Sequence, residues 1–205
     1  MGCFVKICGI ANAADALAVA ALRPDAMGFV FWSGSRRAVQ AEDVGTWLRD
    51  VPAEIKRVGV FVDAAPADVL RIMEHAGLDA AQLHGHEASE AFAGFSKSIW
   101  RAVALRDGVA PDLRGWSVDA YLVDTYSPQA PGGTGQVGDW PAARAFVSQS
   151  VKPVLLAGGL TPENVRDALR VVGPWGADVS SGVEAEPGRK DLDKVRRFIE
   201  QCRAE

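Results

Sequence analysis

The sequence predicts a single (β/α)8 barrel, a TIM barrel occupying residues 1–205 as one domain. Three observations carry that prediction. β-like apolar runs alternate with amphipathic or alanine-rich helical patterns about eight times, the number that closes such a barrel. The apolar runs are nearly continuous, as strands covered on both faces are. No linker, charge block or low-complexity stretch divides the chain. Strict alternation of strand and helix implies parallel strands with right-handed crossovers. The same elements could also build a doubly wound open sheet, and the repeat count is what favours closure.

Taken in order, the first strand is 3–8, with the run Val5-Lys6-Ile7-Cys8 ending at Gly9, and the alanine-rich segment 12–22 is the first helix. Strand 26–31 leads to helix 41–50, and strand 55–62 to helix 66–76. Pro66 sits in the first turn of that helix, where a missing N–H is tolerated, and Gly77 follows its last turn as a stop. Strand 79–84 precedes helix 88–94, strand 98–104 precedes helix 109–115, and strand 119–124 ends in Leu122-Val123-Asp124 before helix 139–148. Strand 153–157 leads to helix 162–172, whose opening Thr161-Pro162-Glu163-Asn164 resembles a cap. Strand 177–181 and helix 191–203 complete the set.

Composition narrows the function classes. With 48% hydrophobic and 23% charged residues, the 205-residue chain has the balance of an ordinary globular protein with a sizeable core. Net charge is −4, and no basic cluster exceeds the pairs Arg36-Arg37 and Arg196-Arg197, so a nucleic-acid partner is not expected. No segment approaches the ~20 apolar residues that cross a bilayer, and the first residues lack a basic-then-apolar leader, so the expected setting is cytoplasmic without a membrane partner. The three cysteines, Cys3, Cys8 and Cys202, have no paired spacing, which argues against a disulfide framework and against a zinc site. Cys3 and Cys202 read as packing residues. No metal is expected.

In a barrel the loops after the C-terminal strand ends build the active site. Cys8-Gly9, Gln82-Leu83-His84-Gly85, Asp124-Thr125, Gly158-Gly159 and Ser180-Ser181-Gly182 all fall at predicted strand ends, and that coincidence points to an enzyme. Residues two apart on a strand share a face, so Lys6 lies one repeat below Cys8, Gln82 below His84, and Leu122 below Asp124. The Lys6 ammonium would lower the pKa of the Cys8 thiol, whereas burial would raise it. By itself Cys8 reads first as a small core residue, and Asp124 equally as a cap or ion-pair partner; the company of the other strand-end groups is what turns both toward chemistry. His84 reads as a satisfied strand-end histidine or an acid–base group, and His75 and His86 as surface residues. The glycine turns at 158–159 and 180–182 either expose N–H groups to a phosphate, as turns after the seventh and eighth strands often do, or simply reverse the chain. Residues 127–138, containing Ser127-Pro128-Gln129-Ala130-Pro131-Gly132-Gly133-Thr134-Gly135, could form a lid or an ordinary long loop. Arg36-Arg37, after the second strand, could clamp a carboxylate bidentately or be a solvated turn.

Lys6-Ile7-Cys8-Gly9-Ile10, Gly28-Phe29-Val30-Phe31 leading to Ser35-Arg36-Arg37, Gln82-Leu83-His84-Gly85, Leu122-Val123-Asp124-Thr125, Gly132-Gly133-Thr134-Gly135, Gly158-Gly159-Leu160 and Asp178-Val179-Ser180-Ser181-Gly182-Val183-Glu184 stand in one order along the chain. Together they resemble the phosphoribosylanthranilate isomerase family of tryptophan biosynthesis over nearly the whole length. The departures are Ala11 where the family often has threonine, Gly34 where proline or lysine is common, and His86 where acids are usual.

What the resemblance implies is an Amadori rearrangement of a phosphorylated aminosugar, N-(5-phosphoribosyl)anthranilate, without metal or organic cofactor, in a monomer or homodimer. Cys8 would be the base and Asp124 the general acid. Arg37 would hold the anthranilate carboxylate, and Gly158, Gly159, Ser180, Ser181 and Gly182 the phosphate. Gln82 and His84 match a substrate-binding motif of the family. Such chemistry demands a thiolate and an un-ionised carboxyl together near neutral pH, hence environments that push their pKa values apart. The rivals are the histidine-pathway aminoaldose isomerase, which uses two aspartates where this chain has Cys8 first, a non-catalytic phosphate-binding barrel, and a flavin-binding barrel.

Overall fold

The computed structural model describes residues 2–105, 108–124 and 139–204. Eight parallel strands close into a barrel in chain order: β1 (Phe4–Ile7), β2 (Ala26–Val30), β3 (Lys56–Phe61), β4 (Ala80–Leu83), β5 (Ser98–Ala104), β6 (Ala120–Asp124), β7 (Val154–Ala157) and β8 (Gly176–Val179), with β8 pairing back onto β1. The described helices are α1 (Ala13–Ala21), α2 (Ala41–Trp47), α3 (Pro66–Ala76), α4 (Trp140–Gln149), α5 (Val165–Val172) and α6 (Leu192–Arg203). Local chemistry sets their ends. The side chains of Asn12, Asp139 and Asp191 accept from first-turn amides of α1, α4 and α6, and Gly77 and Gly173, at φ +68° and +66°, stop α3 and α5 in the left-handed conformation.

Two apolar layers fix which side chains face the barrel axis. Ala26, Val58, Ala80, Trp100, Ala102, Ala120, Leu122, Leu155 and Ala157 form one buried cluster. These are the inward side chains, and alanine is frequent among them because eight strands enclose little space. The odd-numbered neighbours Val5, Ile7, Leu83 and Val123 belong to the second cluster, between sheet and helices. Alternation then aims Lys6 and Cys8 on and after β1, Gln82 and His84 on and after β4, and Asp124 on β6 into the barrel.

Four expectations need correction. No helix forms over 109–115, because Gly108 and Gly115 take positive φ (+76° and +82°) and Pro111 interrupts the segment between them. The expected helix 88–94 is only the 3₁₀ turn Ser89–Phe92, ended by Gly94 at φ +75°, and its Phe92 packs against Phe95 and Trp116. The segment 41–50 divides into α2 and the 3₁₀ turn Leu48–Asp50. After β8 the chain forms a 3₁₀ turn, Ser181–Val183, rather than continuing as strand to 181. It then forms an unforeseen antiparallel hairpin, β9 (Glu184–Glu186) with β10 (Arg189–Lys190). The candidate lid 127–138 and the motif Gly132-Gly133-Thr134-Gly135 lie outside the described residues.

Candidate active site

Cys8 caps β1, its amide donating to the Val179 carbonyl at 2.8 Å, and its side chain is nearly buried at 7% exposure. Gly28 on β2 makes the space for it. A Cβ there would lie 2.6 Å from Cys8 Sγ and 3.1 Å from Lys6 Nζ, so thiol and ammonium both crowd one glycine. Lys6 is fully buried and donates to Asp178 Oδ1 at 2.9 Å, across the β1–β8 register. Burial would lower the Lys6 pKa, but Asp178, with Cys8, outweighs it and holds the ammonium above its ordinary value. At Cys8 the balance goes the other way. Burial pushes the thiol up, the Lys6 and Lys190 cations pull it down, Asp178 adds to the rise, and the net shift is upward. The expected thiolate-favouring pull of Lys6 is present but does not win, because burial outweighs it and Asp178 adds to the rise.

Across the mouth, Asp124 ends β6 with its side chain 31% exposed, and His84 Nε2 lies 3.4 Å from Asp124 Oδ2. Gln82 Nε2 stands 3.1 Å from His84 Nδ1, while Gln82 Oε1 is buried without a partner among the described residues. Gln82, His84 and Asp124 therefore form one row along the barrel wall. Arg101 fixes the β4 turn from behind, donating to the Leu83 and Gly85 carbonyls at 2.8 and 2.9 Å and to Glu87 Oε2 at 2.9 Å.

The cationic corner lies on the other side of Cys8. Arg37 packs over Gly9, where a Cβ would meet Arg37 Cδ at 2.5 Å and Ser180 Oγ at 2.7 Å, and Gly9 itself has φ +74°. Arg36 is exposed and Arg37 half-buried, so Arg37 is the guanidinium turned toward the mouth. Its Nε and Nη2 donate to Glu184 Oε1 and Oε2 at 2.7 and 2.6 Å. One bidentate edge of Arg37 is thus already taken by the protein. Lys190 Nζ donates to the same Glu184 Oε1 and to the Ser180 carbonyl, both at 3.1 Å. Hydrogen bonding to Glu184 raises the Arg37 pKa. Burial would raise that of Glu184, but its two cations hold it below the ordinary carboxylate range.

Beside this corner the two glycine turns touch. Gly158 and Gly159 adopt φ +87° and +64°, Asn164 secures the turn by donating to the Gly159 carbonyl at 2.9 Å and accepting from the Thr161 amide at 2.8 Å, and a Cβ on Gly182 would collide with the Leu160 carbonyl. Cys8, Arg37, Gln82, His84, Asp124, Gly158, Gly159, Ser180, Ser181 and Gly182 all stand at the C-terminal end of the barrel. Three contributors were missed as individual groups: Asp178 and Glu184, present in the sequence only as motif letters, and Lys190. No group of three or more His, Cys, Asp or Glu side chains among the described residues could hold a metal, and no described helix is long and apolar enough to cross a membrane.

A family model described as N-(5'phosphoribosyl)anthranilate (PRA) isomerase matches residues 5–201. The N-(5'-phosphoribosyl)anthranilate isomerase of Pelobacter propionicus is 42% identical to this chain, over 95% of it and 93% of the relative. The crystal structure of phosphoribosyl anthranilate isomerase from Thermotoga maritima superposes with a TM-score of 0.88 at 37% identity, covering 99% of this chain and all of that one. A crystal structure of phosphoribosyl anthranilate isomerase in complex with reduced 1-(o-carboxyphenylamino)-1-deoxyribulose 5-phosphate superposes at 0.83 with 34% identity and the same coverage.

Proposed function

The chain belongs to the N-(5'-phosphoribosyl)anthranilate isomerase family, and on that premise we propose which of its residues carry out the Amadori rearrangement of N-(5-phosphoribosyl)anthranilate to 1-(2-carboxyphenylamino)-1-deoxyribulose 5-phosphate in tryptophan biosynthesis. The observation that supports the assignment is that Cys8, after β1, and Asp124, on β6, stand at the same end of one closed barrel, three strands apart, on the face that strand parity turns inward. A sugar between them can receive a proton from one side and lose one to the other. Asp124, as the acid, protonates the furanose ring oxygen and the ring opens to an iminium. The iminium acidifies the neighbouring C–H and is itself the electron sink. Cys8, as thiolate, removes that proton, and the enolamine tautomerises to the ketone. The His84 row orients Asp124, and Gln82 orients His84.

The substrate brings a phosphate and a carboxylate. The touching turns at Gly158-Gly159 and Ser180-Ser181-Gly182 offer backbone amides to the phosphate, and Arg37 meets the anthranilate carboxylate beside Cys8. A cytoplasmic setting fits a base that must remain a free thiol, and the whole chain acts as one catalytic domain, as a monomer or homodimer.

Arg37→Ala is expected to raise KM for the anthranilate substrate by about tenfold or more while kcat falls less, because the lost contact exists in ground and transition states alike. Steady-state kinetics with unchanged KM would remove Arg37 from the assignment. For the protein as a whole, expression in a tryptophan auxotroph lacking this isomerase should restore growth. Folded, well-expressed protein that fails to do so would count against the proposed site as a working one.

A further inference from the structure

Glu184 has no part in the chemistry above, yet it is heavily engaged at the cationic corner. Its side chain is 5% exposed and accepts three hydrogen bonds, two from the Arg37 fork and one from Lys190, whose own side chain is fully buried. Lys190 also holds the Ser180 carbonyl, and its amide donates to Asp15 Oδ2 at 2.8 Å. The hairpin β9–β10, which carries both residues, is therefore a brace between the second strand-end loop and the turn after β8. Two cations share one anion, which leaves one positive charge at the mouth, the complement of one carboxylate.

Resting on the isomerase assignment, we propose that Glu184 is a positioning residue that sets substrate specificity: it grips the Nε–Nη2 edge of Arg37 so that the remaining Nη1 side meets the carboxylate of an N-aryl aminoaldose. An arginine side chain left to itself samples many rotamers, and ordering it on binding costs affinity. Glu184 removes that cost before the substrate arrives. The effect is orientation rather than charge. Removing the Glu184 carboxylate takes an anion away from the corner, which by charge alone would favour a carboxylate substrate, so a rise in KM reads lost orientation.

The test is Glu184→Gln, assayed with N-(5-phosphoribosyl)anthranilate and with N-(5-phosphoribosyl)aniline, which lacks the carboxylate. Expected is a rise in KM of about tenfold for the anthranilate with kcat changed by less than about threefold, little change in KM for the aniline compound, and partial recovery in Glu184→Asp. In the Arg37→Ala background, Glu184→Gln should add almost nothing. Equal penalties on both substrates, or additive effects in the double variant, would show that Glu184 merely supports the fold and would overturn the proposal, as would an unchanged KM. If Glu184→Gln does not fold, the same comparison of the two substrates is made with Glu184→Asp, which keeps the charge beside Lys190 but shortens the reach to Arg37; a smaller rise in KM confined to the anthranilate is expected, and equal penalties on both substrates would overturn the proposal. Wild-type protein inactive on both substrates would instead refute the isomerase assignment on which the inference rests.

Discussion

Cys8→Ala should lower kcat by at least about 10²-fold while leaving the barrel folded, because the substitution removes the only group on the β1 wall proposed to take the substrate proton. The structural cost is small. The lost sulfur sits at the rim against Gly28 rather than in either apolar layer, so truncation should cost about 1 kcal/mol, well within a domain's stability. A defect in turnover with a nearly unchanged melting temperature is therefore expected, measured by initial rates beside thermal denaturation. Serine should not rescue, because a hydroxyl in the same place is far less acidic than a thiol and a weaker nucleophilic base. Wild-type-like turnover by either variant would dismiss Cys8 as the base.

The barrel was legible because its strands are continuous apolar runs bounded by turn residues, and each expected strand lies within two residues of the observed one. What escaped prediction depends on closure or on short range. The helix expected over 109–115 looks plausible as a pattern, yet the positive φ of Gly108 and Gly115 decides against it. The β9–β10 hairpin has strands of only three and two residues, and Glu184, Glu186, Arg189 and Lys190 carry no apolar alternation to announce it. The partner of Lys6 lies 172 positions away and that of Arg37 lies 147 away, so only the pairing of β8 with β1 and the fold of the hairpin bring those charges together. That is also why the expected effect of Lys6 on the thiol was only half the story. The ammonium is adjacent as strand parity requires, but Asp178 occupies it, and burial then dominates at Cys8. Candidate site residues could be found from strand-end position, but their pairing could not.

Asp124→Asn is expected to lower kcat by about 10²-fold or more, since the amide keeps the shape and the contact with His84 but has no acidic proton for the ring oxygen. The pH profile of the residual activity distinguishes this from a packing defect. With the acid gone, the residual rate should follow the thiolate alone, climbing with pH and levelling off only at the raised ionisation of Cys8. Wild-type-like turnover by Asp124→Asn would mean that Asp124 does not supply the proton. The climb, by contrast, would report the Cys8 thiol directly, and it should vanish in the Cys8→Ala Asp124→Asn double variant.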